Sequence, residues 1–311
     1  MTSTSTSTST VPVCDLTGSI WEGVFTENSP YQYAAITCVA SIVITFIVSS
    51  ATKNYSQVDK LWSILPVTYT WMAVCDSRTL LMACLATVWG IRLTFNFHRR
   101  GGYHWPPWHG DQDYRWNVIR TGGFLPILQN PLVYALFNFF FVSFYQNLLL
   151  FWIAAPSFVV YTMSTPPCRE EWNTELNVHD ALTAMLFLLL VLIESIADNQ
   201  QYAFQMEKYR QKNAGESLTG EYADGFKQTG LFGIVRKPNY AAEQAIWMTF
   251  YSFSYSWNWS GFAVVQLIFL FQMSGWFTEK ITRSKYPKYA DYMKRVPLYV
   301  PNPLYGKSKD A

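Results

Sequence analysis

The sequence has few charged residues for its length. Charged side chains make up 14% of its 311 residues, whereas soluble domains carry about 25%. The net charge of +2 provides no bulk attraction to a polyanion, so we expect no nucleic-acid partner. The shortage of charge therefore argues against both an ordinary soluble domain and a nucleic-acid-binding protein.

Paired cysteines and the compact signatures of soluble enzymes are also missing. The five cysteines lie far apart, without a CxxC pair or a histidine at ligand spacing. Isolated cysteines in apolar runs act as small hydrophobic residues, so we expect neither a structural metal nor a disulfide framework. No GxGxxG follows a strand, and HExxH, GxSxG and Walker patterns do not occur. This absence argues against a Rossmann unit.

Long apolar runs, separated by short basic stretches, dominate the remaining sequence. Half of the residues are hydrophobic, and a run of about 20 such residues can cross the hydrocarbon core of a bilayer. We therefore predict an all-α, polytopic membrane helix bundle. Its seven predicted transmembrane helices lie at residues 33–51, 61–76, 79–97, 132–161, 178–198, 242–256 and 260–278.

The distribution of basic residues between the loops predicts the orientation. Lysine and arginine cluster in loops 98–131 and 199–241 and in the tail after Lys280, whereas the alternate loops are acidic or uncharged. The positive-inside rule then places the C-terminus in the cytosol and the N-terminus outside. We expect residues 1–30 to form a disordered, lumenal segment and residues 31–305 to form a single transmembrane domain.

Two predicted helix ends carry polar side chains at membrane depth. Glu194 and Asp198 are four residues apart, as are Asn239 and Glu243, so each pair shares one helical face. An ionisable group at this depth costs about 2.5–3.5 kcal/mol and usually faces a cavity or a partner. Alternatively, the residues only mark helix ends that meet water. We expect Glu243 to pair with Arg236 or with an arginine of the other large loop.

Two further positions are ambiguous from the residue pattern. Arg92 lies inside the third predicted span, too deep to serve only as an orientation signal, and arginine suits bidentate contacts with phosphate or carboxylate. Asp59, at the start of the second span, is either a helix cap or a buried functional acid.

The stretch GLFGIVRKPNYAAEQAIW at 230–247 resembles the C-terminal region of the steroid 5-alpha-reductase family, and in particular its multispan branch. The similarity also includes NYSQVDKLW at 54–62, ESIADNQ at 194–200 and the tail at 279–301. It extends over residues 51–303 and is strongest at 194–303. The RxPNYxxE…W element is shared with sterol C=C reductases and isoprenylcysteine carboxyl methyltransferases.

The resemblance implies a cytosol-facing pocket that holds NADPH, with a lipid substrate entering from the bilayer. Arg236 and Arg99 would lie near the phosphates, and the tail would close the pocket. Glu194 is included because it shares a helical face with Asp198. The expected cofactor-binding residues are then Arg99, Glu194, Asp198, Arg236, Asn239, Tyr240, Glu243, Glu279, Tyr286 and Tyr289.

One position departs from the family. Steroid reductases carry a tyrosine that polarises the substrate carbonyl where this sequence has Asn96. Asparagine can donate a hydrogen bond, but it cannot act as a general acid. We therefore name Asp59 and Asn96 as candidate catalytic, substrate-side residues, with Asp59 or another tyrosine as the acid.

The resemblance favours an NADPH-dependent reductase of a C=C bond in a sterol or polyprenyl-type lipid, located in the endoplasmic reticulum membrane. The alternative is an S-adenosylmethionine-dependent methyltransferase acting on a lipid or prenylated end group. A non-enzymatic lipid-binding protein is a third hypothesis. The density of polar residues at membrane depth argues against it, because each would be a standing cost.

Overall fold

The computed structural model describes residue 14 and residues 18–166, 168–302 and 304–305. Over these ranges the chain is helical and contains no β-strand. A π-helix at Asn138–Tyr145 joins the α-helices Pro131–Phe137 and Gln146–Ser164. The α-helices are α1 Gly18–Phe25, α2 Pro30–Thr52, α3 Leu65–Met72, α4 Ser77–His98, α5 Tyr114–Arg120, α6 Pro131–Phe137, α7 Gln146–Ser164, α8 Val178–Asn213, α9 Gly220–Asp224, α10 Pro238–Tyr251, α11 Gly261–Lys285 and α12 Tyr289–Arg295.

Within the described residues, five helical segments are long and apolar enough to cross a membrane: α2, α4, the continuous segment Pro131–Ser164, α8 and α11. They correspond to the first, third, fourth, fifth and seventh predicted spans. The other two predictions coincide with shorter helices, α3 with 8 residues and α10 with 14 residues. A 14-residue helix is about 21 Å long, less than the roughly 30 Å of a hydrocarbon core. The membrane helix bundle is therefore confirmed, but only five of its seven predicted spans have full length.

Large apolar side chains cover the outer faces of the long helices. On α2, Ile36, Val39, Val43 and Ile47 are exposed, and α8 shows a similar row. A contiguous apolar surface of this size is unfavourable in water. In a membrane, lipid acyl chains would cover this apolar surface and keep it from water.

Helices α4 and α8 run in the same direction and pair at constant register. Arg78 contacts Asp180, and Asn96 contacts Asp198, and both pairs are separated by 102 residues in the sequence. Parallel helices keep such an offset because each residue advances about 1.5 Å in both. The shared direction agrees with the orientation predicted for the third and fifth spans.

Helix α10 makes its largest helix contact with α8 and also packs against α11. Trp247 of α10 meets Trp89 of α4 edge to face, with ring centroids 4.8 Å apart. Proline at the first position starts the helix without losing a backbone hydrogen bond. The first turn of α10 is therefore held beside α4 and α8.

The polar residues in the middle of the fourth span are paired inside the bundle. The amide of Asn147 donates to Thr45 Oγ1 at 3.0 Å, and Trp62 Nε1 donates to Gln146 Oε1 at 3.1 Å. These contacts tie the long helix to α2 and to the segment before α3. They explain how two amide side chains are tolerated in an apolar span.

The N-terminal segment contains an unexpected disulfide. Residues 1–13 and 15–17 lie outside the described residues, but Cys14 is bonded to Cys168, and α1 follows at Gly18–Phe25. Our expectation of no disulfide was wrong, because the partners are 154 residues apart and no sequence spacing reveals such a pair. The bond lies on the side that the loop charges place outside the cytosol, where oxidising conditions preserve disulfides.

A buried ion pair joins α4 to α8 on that same side. Arg78 Nε lies 2.9 Å from Asp180 Oδ1, and both side chains are 1% exposed. The guanidinium also donates to the carbonyl oxygens of Asn173 and Glu175 at 2.7 and 2.8 Å. Arg78 thus fixes the loop before α8 as well as the helix pair.

We predict that Arg78→Leu destabilises the protein strongly. The substitution leaves the Asp180 carboxylate buried without its cation, and removing one partner of a buried pair costs about 3–5 kcal/mol. The melting temperature of the detergent-purified protein measures the effect. The exposed Arg169 provides the control, and equal losses for Arg78→Leu and Arg169→Leu would contradict the prediction.

Candidate functional site

Three helices bring six polar side chains to one buried place. Each helix contributes two residues that are four apart, and a spacing of four keeps both on one helical face. These residues, which we call the polar cluster, are Arg92 and Asn96 of α4, Glu194 and Asp198 of α8, and Asn239 and Glu243 of α10.

Arg92 is the centre of the polar cluster. Its Nη1 atom lies 2.8 Å from Glu194 Oε1 and 2.8 Å from Asp198 Oδ2. Its Nη2 atom lies 3.4 Å from Glu243 Oε2. The side chain is 11% exposed, so these contacts form largely away from water. One guanidinium therefore binds three carboxylates from two other helices.

Glu243 accepts hydrogen bonds from two indoles in addition to its contact with Arg92. Trp89 Nε1 donates to Oε2 at 3.0 Å, and Trp247 Nε1 donates to Oε1 at 2.9 Å. The prediction that Glu243 has a basic partner is confirmed, but the partner is Arg92 and not Arg236. The carboxylate is thus fixed on both oxygens.

Asp198 connects the polar cluster to the end of α4. It accepts from Asn96 Nδ2 at 2.9 Å and from Asn239 Nδ2 at 3.4 Å. Asn96 in turn accepts from Arg99 through Oδ1, at 3.0 Å from Nε and 2.8 Å from Nη2. Arg100 Nη2 lies 3.9 Å from Asp198. Two arginines therefore border the cluster at the end of α4 predicted to face the cytosol.

Two polar atoms of the cluster are left over. Glu194 Oε2 and Arg92 Nε are buried and have no hydrogen-bond partner among the described residues. Leaving a buried polar atom unpaired costs about 1–3 kcal/mol. An unsatisfied buried polar atom marks a place where a ligand, an ion or a water molecule can bind, so Glu194 Oε2 is a candidate acceptor and Arg92 Nε a candidate donor.

Arg236, Glu279 and Tyr289 form a separate group that holds the C-terminal tail. Arg236 Nε lies 2.6 Å from Glu279 Oε1, and the Tyr289 hydroxyl donates to the same oxygen at 3.1 Å. Arg236 Nη1 also donates to the carbonyl oxygen of Val296. Arg236 is therefore occupied in fixing the tail. Tyr286, a further predicted tail residue, accepts from Lys208 Nζ at 3.2 Å.

Tyr240 and Asp59 belong to a third group, around Arg115. Arg115 Nη1 lies 3.5 Å from the Tyr240 hydroxyl, and its Nε lies 2.9 Å from Asp113. Asp59 accepts from Trp116 Nε1 at 2.9 Å. Burial and the nearby Asp113 carboxylate raise the pKa of Asp59. Burial raises the pKa of Tyr240 too, but the cations of Arg115 and Lys237 outweigh it and lower that pKa overall.

The structure thus divides the residues predicted from the sequence. It gathers Asn96, Glu194, Asp198, Asn239 and Glu243 in the polar cluster, with Arg99 adjacent. Arg236, Glu279 and Tyr289 bind the tail, and Tyr286 contacts Lys208. Asp59 lies near Arg115 and is not in the cluster. Sequence analysis noted the depth of Arg92 but did not assign it to a site, and the four-residue spacing of Arg92 and Asn96 was the available signal. Trp247 is the tryptophan of the RxPNYxxE…W element, whereas Trp89 and Arg115 were assigned no role, because no pattern distinguishes them from other residues near helix ends.

Comparisons with known proteins give a family and one relative. A family model described as "Protein of unknown function (DUF1295)" matches residues 45–296. The chain is 32% identical over 298 residues to "Uncharacterized protein C594.04c" of Schizosaccharomyces pombe. This alignment covers 87% of this chain and 81% of the yeast protein. No solved structure matches significantly.

We predict that Arg92→Met destabilises the protein more than any other single change in the polar cluster. It removes the buried cation that three carboxyl groups share, and breaking one buried pair already costs about 3–5 kcal/mol. The double variant Arg92→Met/Glu243→Gln should recover part of this loss. Melting temperatures measure both effects, with the exposed Arg120→Met as the control. An Arg92→Met protein as stable as the control would contradict the central role of Arg92.

The raised pKa of Asp59 predicts a pH-dependent effect of Asp59→Asn. Because the folded protein binds this proton more tightly than the unfolded chain, Asp59 lowers the stability of the wild type as the pH rises above its ordinary pKa of 3.8. Asp59→Asn should therefore raise the melting temperature relative to wild type at neutral pH, and by less at mildly acidic pH. Asp111→Asn, at an exposed position, should show no such difference. An increase that is larger at acidic pH would have the wrong sign.

Proposed function

The chain belongs to the DUF1295 family, which is part of the steroid 5-alpha-reductase-like superfamily, and from this premise we propose that it is a membrane-embedded reductase that uses NADPH. Family membership suggests a membrane enzyme of the reductase and methyltransferase superfamily. The proposed reaction is reduction of a C=C bond in a sterol, steroid or polyprenyl-type lipid.

One observation carries the proposal. Asp198, Asn239 and Glu243 come from distant parts of the sequence and meet around Arg92. Had they pointed separately toward lipid, no common cofactor site could be argued. Their convergence at a helix end lined by Arg99 and Arg100 is the arrangement that a soluble anionic cofactor requires, since its polar groups need partners and its phosphates need cations.

The residues of the polar cluster fit the chemical groups of a reduced nicotinamide dinucleotide. The unpaired Glu194 Oε2 atom offers a hydrogen-bond position for an amide, and Asp198 and Asn239 supply a carboxylate and an amide beside it. Arg100 is 45% exposed, and its contact with Asp198 is long, at 3.9 Å, so it could bind phosphate while Arg92 keeps Asp198 paired. When bound, NADPH supplies the hydride that reduces the lipid.

The position of the C-terminal tail supports a role in closing the site. The backbone N–H groups of Arg236 and Lys237 donate to Pro297 and Leu298, directly before α10 begins. The tail therefore covers the first turn of the helix that contributes Asn239. Through this contact, Arg236, Glu279 and Tyr289 would stabilise the cofactor pocket without touching the phosphates.

The third group supports a substrate-side role for Asp59. The carboxyl group lies outside the polar cluster, and its raised pKa favours the protonated form that a general acid needs. Asn96 is already engaged by Asp198 and Arg99. We therefore keep Asp59 as the substrate-side acid and assign Asn96 to positioning Asp198 and Arg99.

We also propose the endoplasmic reticulum membrane as the location. The Cys14–Cys168 bond requires an oxidising compartment on one side of the membrane. The lumen of the endoplasmic reticulum meets this requirement, and the basic loops would face the cytosolic NADPH pool.

A methyltransferase that uses S-adenosylmethionine is the second candidate, and one observation favours it. The polar cluster has three carboxylates for one buried guanidinium, and such an acidic excess suits a cationic sulfonium better than a phosphate. The basic border at Arg99 and Arg100 favours the dinucleotide.

Thermal stabilisation of the detergent-purified protein tests the two candidates directly. A ligand that binds only the folded protein stabilises it by about 2.7 kcal/mol at about 100 times its Kd. We predict a rise in melting temperature with NADPH that is lost in Asn239→Ala and Glu243→Gln and kept in Asn213→Ala, which lies at the exposed end of α8. A shift with S-adenosylmethionine and none with NADPH would favour the methyltransferase, and no shift with either would remove both.

A further inference from the structure

The buried charges of the polar cluster do not balance. Glu194, Asp198 and Glu243 bring three carboxyl groups, with side chains 5–6% exposed, to a single guanidinium that is 11% exposed. The next cation, Arg100, is 45% exposed and reaches only Asp198, at 3.9 Å. Three ionised carboxylates would therefore leave uncompensated negative charge in a dry site, which is strongly unfavourable. A bound proton on one carboxyl group removes much of this cost.

Charged groups from two neighbouring helices and from its own helix surround Glu194. From α4 it meets Arg92, the only cation that forms an ion pair with it among the described residues. Asp198 lies one turn along α8, and Glu243 of α10 binds the same guanidinium. The indoles of Trp89 and Trp247 are neutral and donate to Glu243. Arg99 and Arg100 lie beyond Asn96 and Asp198, where they make polar contacts with those two residues and Asn199.

The hydrogen bonds distinguish the three carboxyl groups. Asp198 accepts from Arg92, Asn96 and Asn239, and Glu243 accepts from Trp89, Trp247 and Arg92. Each therefore has several donors that stabilise its ionised form. Glu194 has one contact with a cation, through Oε1, and its Oε2 atom has no hydrogen-bond partner in the described part of the chain. Glu194 is the group least able to remain ionised.

Among the described residues, no group of three or more His, Cys, Asp or Glu side chains is arranged to hold a metal ion. The three carboxyl groups are instead arranged around Arg92. A proton on one carboxyl group can supply the missing positive charge without any further ligand.

We propose that Glu194 carries a proton on Oε2 in the resting protein and that this buried carboxyl group is the proton store of the site. The rest of the inference depends on the proposed reductase function, because reduction of a C=C bond needs one proton for every hydride. As a hydride adds to one carbon of the C=C bond, the π bond breaks and its electron pair on the other carbon takes the proton of Glu194, so the O–H bond breaks and a carboxylate remains at Glu194. Asp59 donates only a hydrogen bond to the substrate and keeps its proton. Arg92 Nη1, at 2.8 Å, stabilises this carboxylate until water from the cytosolic side returns a proton.

This inference differs from the assignment of Glu194 as a simple cofactor contact. A carboxylate that only accepts a hydrogen bond from the cofactor would be ionised before binding. A protonated Glu194 exists without any ligand and can therefore be detected in the free protein.

Infrared spectroscopy of the ligand-free protein in lipid vesicles tests the proposal. A protonated carboxyl group has a carbonyl band separate from that of a carboxylate, and the band of a buried group shifts only slowly on exchange into deuterium oxide. In an Asp59→Asn background, which removes the other buried acid of raised pKa, we expect such a band at neutral pH, its loss on Glu194→Gln and its return in Glu194→Asp. Glu175→Gln makes the same chemical change at an exposed position and should keep the band.

Two outcomes would overturn the proposal. One is a wild-type spectrum without a slowly exchanging protonated carboxyl band, a result that needs no variant to fold. The other is an unchanged band on Glu194→Gln in the Asp59→Asn background. The NADPH melting experiment distinguishes this failure from failure of the reductase. A band without an NADPH shift would keep the proton on Glu194 and remove the reductase, whereas an NADPH shift without the band would refute the proton store alone.

Discussion

The contact of Arg92 with three carboxylates is the interaction on which the rest of the site depends. Arginine can do this because its planar guanidinium carries five N–H donors and stays charged even when buried. Without a partner, each carboxylate would be energetically unfavourable at membrane depth. The ionic contacts therefore bind α4, α8 and α10 to one another, and they place the first turn of α10 where its polar residues are useful.

A second ionic anchor makes this arrangement rigid. Arg78 and Asp180 pair near the start of α4 and α8, and Arg92 and Glu194 pair further along the same two helices. Two anchors on parallel helices prevent both sliding and rotation, since either motion would separate buried charges. The Cys14–Cys168 bond lies on the side of the first anchor. One side of the bundle is thus fixed covalently and ionically, while the opposite side carries the polar cluster and the tail.

The polar residues form three groups with separate tasks. The polar cluster has the unpaired atoms and the acidic excess that chemistry can use. In the group of Arg236, Glu279 and Tyr289, the charged side chains hold the tail in place. The group around Arg115 combines an acid of raised pKa with a tyrosine of lowered pKa, an opposition often found where protons are transferred. The proposed cofactor site and proton store thereby share the polar cluster, whereas the proposed substrate acid lies in the group around Arg115.

The sequence by itself determined the class of fold and most of the residues that meet in the polar cluster. Apolar length revealed the five long spans, and the four-residue spacing showed that Glu194 and Asp198, and Asn239 and Glu243, share helical faces, because helical periodicity is a local property. The identity of the partners was decided only by the tertiary structure. From the sequence, either Arg92 or Arg236 could pair with Glu243. The rotation and register of the helices decide between them, and these depend on packing between distant segments. In the structure Glu243 contacts Arg92, and Arg236 binds the tail. The same reason applies to the disulfide and to the unpaired oxygen of Glu194, since neither a pairing over 154 residues nor a missing partner can be inferred from local sequence.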